Sequence, residues 1–337
     1  MRLIIARFVA LALVVSASGA SPRTPDVAAP TVVNIDRAWS NRLTQVGCFL
    51  YEAHLTEENA VTEKWRGNDP FQPLGRTIPG KFATVEKDLV IKRDGTKSWT
   101  SVKGGHWDTD AVEAFNQSTV SAFDGTTYSR LITSSRAPFG LGHFGKRGTD
   151  AELSSRTLYE FPVLWWCDPK SLMPPFGDKL ENLTFVSQAI TSAGYPSMKL
   201  ELRHDKLLCT SLIVMKTSPF LPLQVATYIP GKRLANMYEL QYARESNGRD
   251  RLSTWSVTSF DSDGNVLRRQ KGKVTKFAQA DSFPDEDFQL HFPVGTNIIQ
   301  YSGKQKRFWI QHTAVQMKAL KATDYGKLPK QADGPVL

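Results

Sequence analysis

The stretch "AFDGTTYSRLI", residues 122–132, holds the question that decides the fold. Its aspartate stands close to Tyr128 and Arg130, and it reads either as chemistry or as the corner of a hairpin. Glycine tolerates positive φ and aspartate nearly does, so Asp-Gly between alternating runs is the strongest short-range hairpin signal. The same punctuation recurs in "TVEKDLVIKRDGTKSWTSV" (84–102) and "STWSVTSFDSDGNVLRRQKGKVTKF" (253–277). In "TNIIQYSGKQKRFWIQH" (296–312) Ser302-Gly303 takes the same place. Repetition between strand-like runs makes Asp94, Asp124 and Asp263 turn residues. "DSDGN" (261–265) lacks the spacing to a bidentate glutamate that a calcium loop needs.

Working outward, further strand patterns lie at 48–56, about 183–188, 197–204, 207–215, 223–229 and 237–244. Tight turns without strand–helix–strand alternation predict an antiparallel meander. A single sheet of that size must curl, split or be covered on its apolar face. Two helical pieces supply the cover. Ile35, Trp39, Leu43 and Val46 recur at helical spacing behind Asn34, which is placed to cap. An isolated helix this short is marginal in water and needs a partner surface. The segment 150–176 is the other piece, with Leu153, Leu158, Phe161, Leu164 and Trp165 apolar. Pro162 is expected to interrupt it, and Pro169, Pro174 and Pro175 to end it. Between meander and helix, "FGLGHFGKRG" (139–148) carries four glycines and reads as a mobile loop. It has neither the Lys-Ser/Thr of a phosphate loop nor a dinucleotide fingerprint. The expected fold class is α+β, mainly β: a curled antiparallel sheet, an incomplete half-barrel, with helices covering its concave face. How side chains fill the concavity decides whether it is core or ligand pocket.

The N-terminus reads as an address. Arg2 and Arg7 precede the apolar run "FVALALVVSA" (8–17), and Ser18-Gly19-Ala20 offers small residues for cleavage. The expected organisation is a signal peptide at 1–20, a disordered leader at 21–33, one domain at 34–317 and a flexible tail at 318–337. No cysteine follows the apolar run, which argues against a lipid anchor, and no run has the roughly 18 apolar residues of a membrane helix. The mature chain is expected to be exported, periplasmic or extracellular, and not membrane-spanning.

Hydrophobic residues at 41% and charged residues at 22% allow a sizeable core. The formal charge is +9; without the leader's two arginines, 40 Lys plus Arg stand against 33 Asp plus Glu. Export makes nucleic acid a poor partner for that charge. The runs "RRQKGKVTK" (268–276) and "KQKR" (304–307) are solvated strand faces, or a greeting for an anionic envelope surface through Arg268, Arg269, Lys271 and Lys273. The three cysteines, Cys48, Cys167 and Cys209, are no disulfide framework; one bridge of undetermined pairing would leave one thiol over. Cys167, in "WWCDP", reads as a packed small hydrophobe.

Two stretches carry a family resemblance: Phe123-Asp124-Gly125 to Tyr128, and "DFQLHFPVGTNIIQY" (287–301). Together they resemble exported bacterial proteins of the lipoprotein-carrier superfamily, the LolA and RseB type. The hairpin stretch is similar to that family's aromatic-Asp-Gly hairpin. The 287–301 stretch is similar to its late strand running into Pro-x-Gly-Thr and a further strand. The resemblance spans about 35–313 and implies an incomplete antiparallel barrel plugged by helices. It also implies binding or sensing of lipoprotein acyl chains, without catalysis. The glycine-rich and Trp-rich segment 139–176 is longer than a minimal carrier needs, and no family binding residue maps onto this chain.

Catalytic patterns are absent from the sequence. There is no G-x-S-x-G, S-x-x-K or H-E-x-x-H, and none of the six histidines lies three or four residues from another, so no metal site or cofactor is expected. Glu57-Glu58 and Asp285-Glu286-Asp287 read as solvated loop charges. Adjacent Trp165 and Trp166 cannot both face one core line, so one is expected to be partly exposed or to line another surface. Trp39, Leu43, Leu158, Phe161, Leu164, Trp165 and Trp166 are therefore the candidates for an apolar groove or its lid. Three functions follow. The first is a non-enzymatic protein binding an acyl chain or lipoprotein lipid in a half-barrel cavity. The next is a protein-interaction or sensor module on the same scaffold. The third is a hydrolase assembled across strands, with His106, Asp108 and His143 as its candidates.

Overall fold

A computed structural model describes residues 32–62, 77–109, 111–146, 159–172, 183–204, 207–229, 233–245, 248–261, 263–302, 305–313 and 316–319. The expected signal peptide, the expected leader to residue 31 and the expected tail beyond 319 lie outside these residues. Helix α1 (Val32–Val46) leads into β1 (Cys48–Thr62), β2 (Thr77–Asp94), β3 (Lys97–Asp108), β4 (Glu113–Phe123), β5 (Thr127–Ser134) and β6 (Ala137–Lys146). Helix α2 (Phe161–Cys167) and a 3₁₀ turn (Pro169–Leu172) follow. Then come β7 (Leu183–Ser192), β8 (Tyr195–His204), β9 (Leu207–Met215), β10 (Pro222–Tyr228), β11 (Leu234–Arg244), β12 (Asp250–Phe260) and β13 (Val266–Ala280). A 3₁₀ turn (Asp285–Phe288), β14 (Asn297–Ser302), β15 (Gln305–Gln311) and β16 (Met317–Ala319) complete the described chain.

All these strands join one open sheet in the order β16-β15-β14-β6-β5-β4-β3-β2-β1-β13-β12-β11-β10-β9-β8-β7. The chain meanders outward from β1 to β6, crosses to the far edge at β7, and returns until β13 lies beside β1. The mainly β fold expected from the sequence is thus observed, as a large curled sheet that does not close. One pairing departs from expectation: β14 runs parallel to β6, from Asn297↔Leu141 to Tyr301↔Gly145. The 281–296 crossover makes this geometry possible, because it carries the chain back across the sheet before β14 begins.

The opening aspartate is a turn residue. Asp124 Oδ1 accepts from the Thr126 and Thr127 amides, both at 2.8 Å, and from the Thr126 hydroxyl at 2.8 Å. Burial would raise its pKa, but these donors outweigh burial and lower it. In the β12–β13 turn the same task falls to Asp261, whose Oδ1 accepts from the Asp263 and Asn265 amides. Asp94 closes β2, and its carboxylate takes the Cys48 thiol and the Phe283 amide. All three thiols are free.

Several local expectations are corrected. Residues 139–146 form part of β6, because Gly140 and Gly142 sit where a Cβ would meet Leu131 and Phe292 at 2.8 Å. These glycines serve close packing and not mobility. Pro162 does not interrupt a helix; it stands in the first turn of α2, where its missing N–H costs nothing. Of the expected helix over 150–176, the described part is α2 and the following 3₁₀ turn; Leu153 and Leu158 lie outside the described residues. Helix α1 begins at Val32, two residues before the expected cap, and overlaps the expected leader. Gly47, at φ +72°, ends it by donating to the Leu43 carbonyl. Residues 287–296 are a 3₁₀ turn and coil; in that motif only the later strand, β14, exists. Lys318 and Ala319, expected in the tail, belong to β16.

Alternation defines two faces. Along β1, Phe49, Tyr51, Ala53, Leu55 and Glu57 are buried on one side, while Glu52, His54 and Thr56 point to the other. The first side carries both helices and the main core. Met198, Leu200, Leu212, Val225, Leu240 and Leu252 extend it across β8–β12. On the opposite side, Phe288 and Phe292 cover the β3–β6 end. Among the described residues no helix is long and apolar enough to cross a membrane.

Candidate functional site

The helix-bearing face brings together most of the apolar candidates. Trp39 is 1% exposed, and its Nε1 donates to the Phe220 carbonyl at 3.1 Å. Leu43, one turn on, and Phe161, at the start of α2, are half-buried. Leu164, Trp165 and Trp166 are all buried, and Leu158 lies outside the described residues. Of the two alternatives expected for the adjacent tryptophans, partial exposure fails, since both are buried. Residues Pro162 to Cys167 are buried all round, because α2 sits between α1 and the sheet and has no solvent side. Trp166 meets Phe49 at 5.5 Å and Phe277 at 5.6 Å, both edge-on.

Arg42 ties the cover together. It is buried on the inner side of α1; its Nε donates to the Trp166 carbonyl at 3.1 Å and its Nη2 to the Asp250 carbonyl at 3.3 Å. The Asp250 carbonyl also accepts from Trp166 Nε1, at 3.1 Å. Burial lowers the guanidinium's pKa. At the outer rim, Lys170 bonds Asp36 and Ser40 of α1. The described polar side-chain ties of α1 are thus few, and the inner ones end on backbone carbonyls.

Beside the apolar core lies a buried ionic knot that the sequence pattern did not announce. Glu57 is 2% exposed and Lys87 5%, and their charges meet at 2.8 Å. Tyr159, just before α2, accepts from Lys87 at 2.6 Å and donates to Glu57 at 2.9 Å. Gln270 and Asn59 donate to the same carboxylate, at 2.6 and 3.0 Å. Burial pushes the Glu57 pKa up, but Lys87 and these hydrogen bonds outweigh it and hold the carboxyl at about 2. Burial lowers Lys87, opposed by Glu57, and burial together with that carboxylate raises Tyr159. The reading of Glu57 and Glu58 as solvated loop charges is therefore wrong for Glu57, which β1 turns inward. The spacing of one Glu on the buried phase of a strand and one Lys on the same phase of the next was the available signal.

The hydrolase candidates are not brought together. His106 lies on β3 against Phe115, ring centroids 5.0 Å apart, and Asp108 pairs with Arg136. His143 lies three strands away on β6, roughly 14 Å at normal strand spacing, and its Nδ1 is 3.1 Å from the Tyr301 hydroxyl. No group of three metal-ligating side chains occurs among the described residues. The four basic candidates do not share one surface either. Arg268 faces the buried knot, whereas Arg269, Lys271 and Lys273 point to the opposite face.

No family model and no curated protein matches this sequence. Among solved structures the chain is similar to a DUF1329 family protein from Desulfovibrio piger, at 10% identity and TM-score 0.43, covering 76% of this chain and 97% of that one. It is similar to a LolA superfamily protein from Nitrosomonas europaea, at 12% identity and TM-score 0.39, covering 77% and 96%. A porin-like protein from Bacteroides uniformis follows at 7% identity and TM-score 0.22, covering 67% and 97%. The Nitrosomonas protein bears the superfamily name toward which the short motifs pointed.

Proposed function

We propose that this protein is an exported, non-enzymatic binding protein for an apolar chain such as an acyl group, taken up between the sheet and its helical cover. One observation carries the reading. An unclosed sheet turns a continuous apolar face toward two short helices, and Arg42 and Trp39 fasten the first of them mainly through backbone carbonyls. The face is filled in this state, so the ligand must displace cover.

The energies allow it. Fully burying a side chain such as Ile35, Trp39 or Val46 is worth roughly 1.5–3 kcal/mol or somewhat more for tryptophan. Each methylene of a ligand chain returns roughly 0.8 kcal/mol on burial, so a chain of about ten methylenes matches the undocking of α1. Shorter chains lose that contest.

The test is direct. Protein purified without detergent is extracted with solvent and analysed by mass spectrometry, and a dansylated long-chain fatty acid is titrated in. The reading expects co-purified acyl lipid and energy transfer from Trp39, Trp165 and Trp166 to the dansyl group. A short-chain dansyl acid should give little transfer. No lipid and no transfer at any chain length would refute it. The filled state under Trp39, Trp165 and Trp166 favours an alternative reading, a sensor or interaction module in which this face is only core. Partners recovered from the envelope without any acyl binding would support that one.

A further inference from the structure

The opposite face carries a cavity of about 630 Å³ across β1, β13, β12, β11 and β10. Its volume falls in the usual range of small-molecule sites, roughly 300–1,000 Å³. The β7–β8 turn, through Ser192 and Ala193, forms part of its wall. Strand register lays its polar side chains in two cross-strand rows. One row is His54, Lys273, Thr254 and Gln241. The next is Thr56, Lys271, Ser256, Glu239 and Gln224.

The flanking cations of this face of β13 are matched across strands. On β13 itself, Arg269 pairs with Glu58 at 3.7 Å and Lys276 with Glu52 at 3.2 Å. Lys271 and Lys273 break the pattern. Opposite them β1 offers Thr56 and His54, where the flanking positions on the same face offer Glu52 and Glu58. The nearest acids of β2, Glu86 and Asp88, are bound by His54 at 3.0 and 3.1 Å. On β12 each lysine meets a hydroxyl, Ser256 or Thr254, and these donate onward to Glu239 and Gln241 at 2.8 and 2.7 Å. Among the described residues neither lysine has an ion-pair partner. Two residues apart on one strand, their Cα atoms lie roughly 7 Å from one another, a span one phosphate bridges.

We propose that this cavity binds a phosphate ester of a polyol, the phosphate between Lys271 and Lys273 and the hydroxyls toward Glu239, Gln241 and Gln224. The Glu239 carboxylate accepts from ligand hydroxyls and the Gln241 and Gln224 amides accept from or donate to them, contacts that the carbon-borne hydroxyls of an ester reach beyond the phosphate itself. The chemistry is shared by a free polyol phosphate and by a glycerophospholipid headgroup. The site is independent of the acyl reading, since it lies on the other side of the sheet.

Calorimetric titration with glycerol 3-phosphate, with inorganic phosphate and with glycerol tests it, alongside flotation on phosphatidylglycerol and phosphatidylcholine vesicles. The variants are Lys271→Gln/Lys273→Gln and, as a control for net charge, Arg269→Gln. The expected result is binding of glycerol 3-phosphate that the double variant weakens at least about tenfold and Arg269→Gln less than about twofold. Glycerol should fail, and inorganic phosphate should bind more weakly than the ester. Flotation with phosphatidylglycerol that the double variant abolishes and that excess soluble ester competes away assigns a lipid headgroup. Binding of the soluble ester without flotation assigns a free ligand. Equal losses in the double variant and Arg269→Gln, scaled for charge, or no binding in either arm, overturn the proposal.

Discussion

The two faces of the sheet treat charge in opposite ways. On the helix-bearing face Glu57 and Lys87 are nearly sealed, and Tyr159, Gln270 and Asn59 supply further bonds around them. On the opposite face Lys271 and Lys273 stand in the open without a counter-ion among the described residues, although their strand neighbours are paired. Water tolerates an unmatched ammonium at little cost, whereas a dry interior does not. A matched buried charge therefore speaks first of structure. An unmatched exposed pair inside a cavity is free to serve a ligand. The apolar material obeys the same logic in reverse, concentrated where the helices close and sparse where the cavity opens.

The largest expected effect breaks the first half of that contrast. Lys87→Met strands Glu57 in the interior and should cost about 3–5 kcal/mol of unfolding free energy, read from urea midpoints. Adding Glu57→Leu should return much of the loss, because both charges then leave together. If the double variant is no better than the single one, the pair is doing something other than neutralising itself.

Acid sharpens the same point. The folded Glu57 pKa lies below its unfolded value, so its contribution is fully present above about pH 4.5 and disappears as pH falls through about 2. That window corresponds to about 3 kcal/mol at most. The Glu57→Leu/Lys87→Met variant should show a correspondingly shallower fall in urea midpoint between pH 5 and pH 2. An identical slope in both proteins would place the acid sensitivity elsewhere.

Gly272 is next. A Cβ there would meet the Trp255 ring at 2.2 Å, so Gly272→Ala must shift an indole in the core, at about 1–3 kcal/mol. Arg42→Ala loosens α1 from α2 and should cost a similar amount, about 1–3 kcal/mol. If the cover must lift for an acyl chain to enter, Arg42→Ala should also tighten apparent binding of the dansyl acid, because less energy is spent on undocking. Weaker binding in that variant would make Arg42 part of the ligand's own surface.

The smallest expected effect belongs to the opposite face. Lys271→Gln/Lys273→Gln should leave thermal stability within about 0.5 kcal/mol of the parent. A large loss would show that the lysines hold the sheet together and are not available to a ligand.

Much of this architecture was legible in the residues. Asp124 between alternating runs carried the hairpin, and the spacing of Ile35, Trp39 and Val46 carried α1 and its buried side. Other features were hidden because the sequence states a pattern and the surroundings decide its meaning. Glycines at 140 and 142 suggest flexibility until Leu131 and Phe292 are seen to occupy the space of their missing side chains. Two adjacent tryptophans suggest a one-sided helix until α2 proves to have no free side. Glu57 next to Glu58 suggests a solvated pair until β1 turns one inward. The two lysine rows depend on register across five strands, and one of those registers, β1 with β13, pairs segments more than 200 residues apart.

The central claim is that the helical cover moves aside for an acyl chain. Hydrogen exchange over residues 32–46 and 161–167, measured with and without a long-chain fatty acid, tests it most directly. Ligand is expected to speed exchange in these helices while β1 and β13 stay protected. Saturating ligand that leaves both helices as slow as in the free protein would contradict it.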